Sequence, residues 1–194
     1  MTGAILGGLG AAALFAVTIY NKLVSLRNGY KGAFANVDVQ LKRRFDLIPN
    51  LVETAKGYMK HERETLDAVV QARAGAMSAS AAAKANPGDP SAMKELATAS
   101  ATLQGAMTKF MAVAEAYPDL KANETMNTLM ADLKDTENLI AGSRQTFNSA
   151  VGAYNTAREM FPNNLIAGIF SFTPAEFMQS TSSDAERSAV KVAF

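Results

Sequence analysis

The stretch VQLKRRFDLIPNLVETAKGY, Val39 to Tyr58, decides how the chain folds, because it sets a proline inside an amphipathic helical pattern. Phe45, Ile48, Val52, Ala55 and Met59 make one apolar row, and Leu47, Leu51 and Tyr58 make a second beside it. Asp46, Asn50 and Glu53 share the polar flank. An arc this broad suits a helix with two neighbours. Pro49 inside it costs about 3 kcal/mol relative to alanine and removes the hydrogen bond to Phe45. Two backbones are compatible with that: a continuous rod kinked at the proline, or a helix that stops near Arg44 and restarts with Asp46 as its cap. The expectation is a kink or short break at Phe45–Asp46, giving one very long helix two limbs.

Working outward, helical spacing holds from Leu23 through Leu26, Tyr30, Phe34, Val37 and Leu41, and beyond the proline to Leu66 and Val69. Ser78 to Ser91 loses the pattern and gathers Asn86-Pro87-Gly88-Asp89-Pro90, a turn with a helix restart at Ser91. Met93, Leu96, Leu103, Met107, Phe110 and Val113 stripe a second helix that Pro118 stops near Tyr117. Asn123 is placed to cap a third, running to about Phe161 before Pro162. Short connections between long amphipathic helices make antiparallel neighbours. The fold class is therefore all-α: an N-terminal transmembrane helix, then an antiparallel up-and-down bundle of three to four long helices.

The chain has 194 residues, a net charge of +1, no cysteine and no tryptophan. That charge gives no electrostatic footprint for nucleic acid, and the missing thiols exclude disulfides and thiolate chemistry. Gly3 to Tyr20 carries no charged side chain and spans about 27 Å as a helix, against a hydrocarbon core of roughly 30 Å. A cleaved signal peptide would want a basic start and a polar sequel. A retained anchor fits better, with Tyr20 at the interface and Lys22, Arg27 and Lys31 on its cytoplasmic flank. The division expected is an anchor over 1–26, a bundle over 27–179 and a loose tail over 180–194. The location expected is the inner cell membrane, single-pass, N-terminus outside and bundle cytoplasmic.

The residues also carry a resemblance. LVSLRNGYKGAFANVDVQLKRRFDLIPNLVETAKGYMKHERETL, YPDLKANETM, TENLIAGSRQTFNSAVGAYNTAREMFP and NNLIAGIFSFTPAEF together resemble the LemA family, in the family's order and over most of the chain. The resemblance implies a bacterial or archaeal single-pass membrane protein with an antiparallel helical bundle. It implies no established activity.

No constellation for chemistry is legible. His61 is the only histidine, and Glu62, Glu64 and Asp67 around it do not form a ligand set. Nothing orients Thr65 against His61, and no phosphate-cradling glycine loop occurs. No enzyme activity, cofactor, metal or small-molecule substrate is expected. Arg43 stands roughly 35 Å up the helix from Tyr20, and the Debye length is about 8 Å, so Lys42, Arg43 and Arg44 are too remote to anchor lipid. Pairing within the bundle is the first account of them and a protein partner the second. The candidate partner surface comprises Arg43, Arg44, Asp46, Pro49, Asn50, Glu53 and Tyr58, together with the apolar run Leu165, Ile166, Ile169, Phe170 and Phe172. That run is too short to cross a bilayer and is expected to close the bundle end; an oligomer contact or a membrane-touching patch is the other reading. The function expected is a non-enzymatic membrane-anchored scaffold acting through protein contacts, with self-association as a homo-oligomer and a possible membrane protein partner. The alternative is a lipid-binding or membrane-shaping protein.

Overall fold

The computed structural model describes the backbone of residues 2–179 and the side chains of residue 11 and residues 13–179. The expected tail over 180–194 lies outside the described residues. Among the described residues six helices follow in order: α1 (Thr2–Lys56), α2 (Arg63–Ala85), α3 (Pro90–Ala114), α4 (Pro118–Lys121), α5 (Glu124–Glu159) and α6 (Asn163–Ile169). Among the described residues there are helices and no strand, as the composition and spacing imply. Four long helices run up and down. Tyr30 meets Tyr154 at 5.2 Å and Phe34 meets Phe147 at 5.4 Å between ring centroids, which sets α1 antiparallel to α5. Lys84 bonds Asp38 across α2 and α1, and Lys109 approaches Glu64 across α3 and α2.

Of the two forms expected for the joint at Phe45–Asp46, the break is corrected. α1 passes through Pro49 without a break, and the chain reverses instead over residues 57–62. A proline at 49 orphans the Phe45 carbonyl, and the guanidinium of Arg73 on α2 supplies the missing donor, Nε to oxygen at 2.6 Å. The helix can therefore stay closed around its proline. The actual turn is held by the Tyr58 and Met59 amides, which both donate to the Ala55 carbonyl, and by burial of the Met59 side chain.

The second connection is also shorter than the sequence pattern indicates. α2 continues to Ala85, because Ala76, Ala79, Ser80 and Ala83 form a buried face of small residues that lets it approach its neighbours closely. The restart lies one residue before Ser91: Asp89 caps α3 by accepting from the Ala92 amide at 2.9 Å, and Pro90 occupies the first turn. Asn123 caps α5 as the sequence indicates, accepting from the Met126 amide at 2.9 Å.

One core runs the length of the bundle, from Ile19 and Leu23 through Phe34, Ile48, Leu51, Leu96, Leu103, Phe110, Phe147 and Tyr154. Each such side chain contributes about 1.5–3 kcal/mol by leaving water. Among the described residues no helix is long and apolar enough to cross a membrane. Of the expected apolar run, Gly3 to Tyr20, the side chains of residues 3–10 and 12 lie outside those described. Among the described side chains, burial against the bundle starts at Ile19, inside the segment assigned to the anchor from sequence.

After α6 an extended segment, residues 172–179, returns along the bundle. Asn155 clamps Ala175 with two bonds, its Nδ2 donating to the carbonyl at 2.8 Å and its Oδ1 accepting from the amide at 2.9 Å. Asn148, two turns earlier on α5, does the same for Met178. On the other side the Glu176 amide donates to the Gly88 carbonyl at 2.8 Å. Gly88 has φ of +83°, and a Cβ there would lie 3.0 Å from the Ala175 Cβ and 3.1 Å from the Tyr30 ring. Only glycine fits that crossing.

Candidate functional site

The charged part of the site is built around Arg44. Leu41, Arg44, Phe45 and Ile48 all project inward from α1, so Arg44 stands on the buried stripe and is only 4% exposed. Its Nη2 donates to the Gln104 side-chain oxygen of α3 at 3.0 Å, and its Nε pairs with Glu137 of α5 at 2.8 Å. Burial pushes the guanidinium pKa down, and the Glu137 carboxylate partly offsets that shift. A buried cation is costly unless paired and hydrogen-bonded, and both conditions are met here. The two partners come from helices that otherwise stand apart, since α3 packs mainly on α2 and α5 on α1. Between α3 and α5 lies an open hollow of about 280 Å³ lined by Met107, Met111, Met130 and Leu133, with Arg44 at its floor.

The other cations and the polar row stay outside. Arg43 reaches Asp132 only at 3.9 Å, with both side chains about half exposed. Asp46, Pro49 and Asn50 are exposed, and Glu53 bonds Lys56 one turn away at 2.8 Å. Tyr58, at the far end of the bundle, accepts a bond from the Asn123 amide at 3.1 Å. Of these residues Arg44 is thus spent inside the chain, Arg43, Asp46, Pro49, Asn50 and Glu53 lie exposed on α1, and Tyr58 is exposed in the turn after it.

The second part of the site lies at the opposite end and unites two features read separately from the sequence. The Tyr20 ring stands edge-on to Phe170 at 4.8 Å and to Phe172 at 5.6 Å. Arg27 lies 5.0 Å over the face of Phe172, a cation–π contact within the chain. Lys22 and Lys31 are exposed. The run Leu165 to Phe172 does close the bundle end through Ala167 and Phe172, which are buried, and Ile166, which is half-buried. Leu165, Ile169 and Phe170 face outward, and Phe161 just before them is 79% exposed. Among the described residues no group of three His, Asp or Glu side chains is placed to hold a metal.

Sequence reasoning missed Gln104, Glu137, Arg73 and the two clamping asparagines. A signal existed for Arg73, which continues the Val69–Ala76–Ser80 stripe of α2 at helical spacing. A cation on a buried stripe must have a partner, and the proline-orphaned carbonyl was in want of a donor.

The LemA family model matches residues 33–194. The magnetosome protein MamQ of Magnetospirillum gryphiswaldense is 27% identical over 173 residues, covering 81% of this chain and 64% of that protein. Magnetosome protein MamQ 2 of Paramagnetospirillum magneticum is 27% identical over 175 residues, 82% of this chain and 64% of that protein, and MamQ 1 of the same organism matches equally. The chain spans just under two thirds of the length of these curated relatives. With the family match reaching from Ala33 through the last residue, this chain belongs to the LemA family.

Proposed function

We propose that this LemA-family chain is a non-enzymatic, membrane-anchored helical scaffold that works through protein–protein contacts, self-association among them. The observation that carries the reading is the open hollow between α3 and α5. Its methionines are adaptable, polarizable surface of the kind used at helix-docking grooves, and the buried Arg44 guanidinium, paired with the half-exposed Glu137, forms its floor. The membrane part of the reading rests on sequence: no charged side chain occurs before Lys22, and cations follow it. By that bias the N-terminus is outside and the bundle cytoplasmic, at the inner cell membrane.

Size-exclusion chromatography with light scattering on the full chain in detergent tests the self-association. The expected result is a mass of two or more chains at micromolar concentration, falling to one chain when Met111→Lys and Met130→Lys are combined. A monomer throughout would remove self-association. A second reading, lipid binding or membrane shaping, has one observation in its favour: the outward apolar face of α6.

A further inference from the structure

We propose that the outward face of α6 is a membrane foot, seated in the headgroup–acyl boundary of the bilayer that holds the N-terminal segment. The inference rests on the anchor reading and adds a second, separate lipid contact to it. α6 is short, and its two sides differ. Ala167 is buried against the bundle, whereas Leu165, Ile169 and Phe170 project outward with Ile169 73% exposed. Phe161, in the turn that leads into α6, adds a fourth large apolar side chain. Single exposed apolar residues are ordinary, but four on one short stretch are not.

Three observations choose lipid over another occupant. The first is charge: from Met160 to Ala175 the sequence carries no charged side chain, and neither does the chain before Lys22. A surface seated in lipid excludes charge, and neither of these two stretches of sequence carries any. The second is level. Tyr20 ends the uncharged run, and its ring contacts Phe170 at 4.8 Å, so the foot stands beside the last turn of that run. Leu14, Phe15 and Val17, one to two turns nearer the N-terminus, are exposed apolar residues as well. The third is the position of the cations. Lys22 and Lys31 are exposed on the bundle side of the foot, where anionic headgroups would meet them.

Attachment of the foot is rigid. Phe172 is buried between the Tyr20 ring and the Arg27 guanidinium, so α6 cannot swing away without breaking both contacts. A helix held in this way reports its depth as part of the bundle.

The chain has no tryptophan, so single-tryptophan variants report without background. The full chain carrying Ile169→Trp, Phe15→Trp or Val39→Trp is reconstituted into phosphatidylcholine–phosphatidylglycerol vesicles whose acyl chains are brominated just below the headgroups. Val39 is exposed and stands about 28 Å beyond Tyr20 along α1. Emission from Ile169→Trp is expected to fall to about half or less, as an apolar face about 5–10 Å below the headgroups requires, while Val39→Trp is unaffected. Quenching of Phe15→Trp without quenching of Ile169→Trp would overturn the foot and leave the anchor standing. Quenching of neither would remove the anchor and the foot with it. A blue-shifted but unquenched Ile169→Trp would show that protein, a second copy or residues 180–194, covers the face, and this too overturns the proposal. Equal far-ultraviolet helicity across the three variants establishes that each is folded.

Discussion

At the residue scale, Pro49 and Arg73 form a pair that only the folded chain reveals. The proline deletes a backbone donor, and an arginine 24 positions later on another helix provides one. Arg73→Ala leaves the Phe45 carbonyl without a partner and should cost about 1–3 kcal/mol. Pro49→Ala restores the intrahelical N–H, so on that background the same Arg73→Ala should cost well under half as much. Urea unfolding of the four variants completes the cycle, and additive effects would show that Arg73 does not compensate for the proline. The proline itself was legible in the sequence. Its consequence was not, because nothing in the local sequence tells that a donor on another helix meets the orphaned carbonyl.

At the element scale, α6 ends in a Schellman motif. The Phe172 amide donates to the Ala167 carbonyl at 2.9 Å and the Ser171 amide to the Gly168 carbonyl at 3.3 Å. The residue that must turn left-handed is Ser171, with φ of 53°. Glycine is the usual occupant of that place, and a left-handed L-residue costs roughly 1–2 kcal/mol. Ser171→Gly should therefore raise stability by about 1 kcal/mol, allowing for glycine's greater unfolded freedom, and thermal unfolding of the full chain in detergent would read it as a higher Tm. Long elements with apolar stripes, α3 and α5 above all, were readable from spacing, as was the Asn123 cap; α3 ends at Ala114, short of the expected Tyr117, and Pro118 opens α4 rather than stopping α3. The end of α2 was not, since an alanine-rich face gives too little hydrophobic contrast to separate helix from loop. Nor was the extended segment over 172–179, whose partners are two asparagines on a helix rather than a neighbouring strand.

At the scale of the whole molecule, the bundle is two hairpin-like pairs, α1 with α5 and α2 with α3, joined along α1 and α2 and open on the far side. Arg44 bridges the opening. Glu137→Ala would leave that cation with Gln104 as its remaining side-chain partner, and because the Glu137 side chain is 42% exposed, so that water can take its place, should cost about 1–2 kcal/mol. Because the lost contact spans α3 and α5, hydrogen exchange should quicken most in α3 around Gln104 and in α5 around Glu137. A loss confined to α5 would show that Arg44 does not tie the two pairs together. Arg44 stood out in the sequence as one of three adjacent cations. Which of the three faces inward depends on the phase of a helix that does not break at Pro49, so the direction of its charge could not be read ahead of that fact.

The unbroken course of α1 has a mechanical meaning. From Tyr20 to Lys56 the helix is continuous over about 54 Å. With its N-terminal segment in a bilayer as proposed, a tilt of about 20°, average for such helices, would carry the far end sideways by roughly 18 Å. Local membrane thickness or curvature would thus be converted into lateral displacement of the Tyr58–Asn123 end.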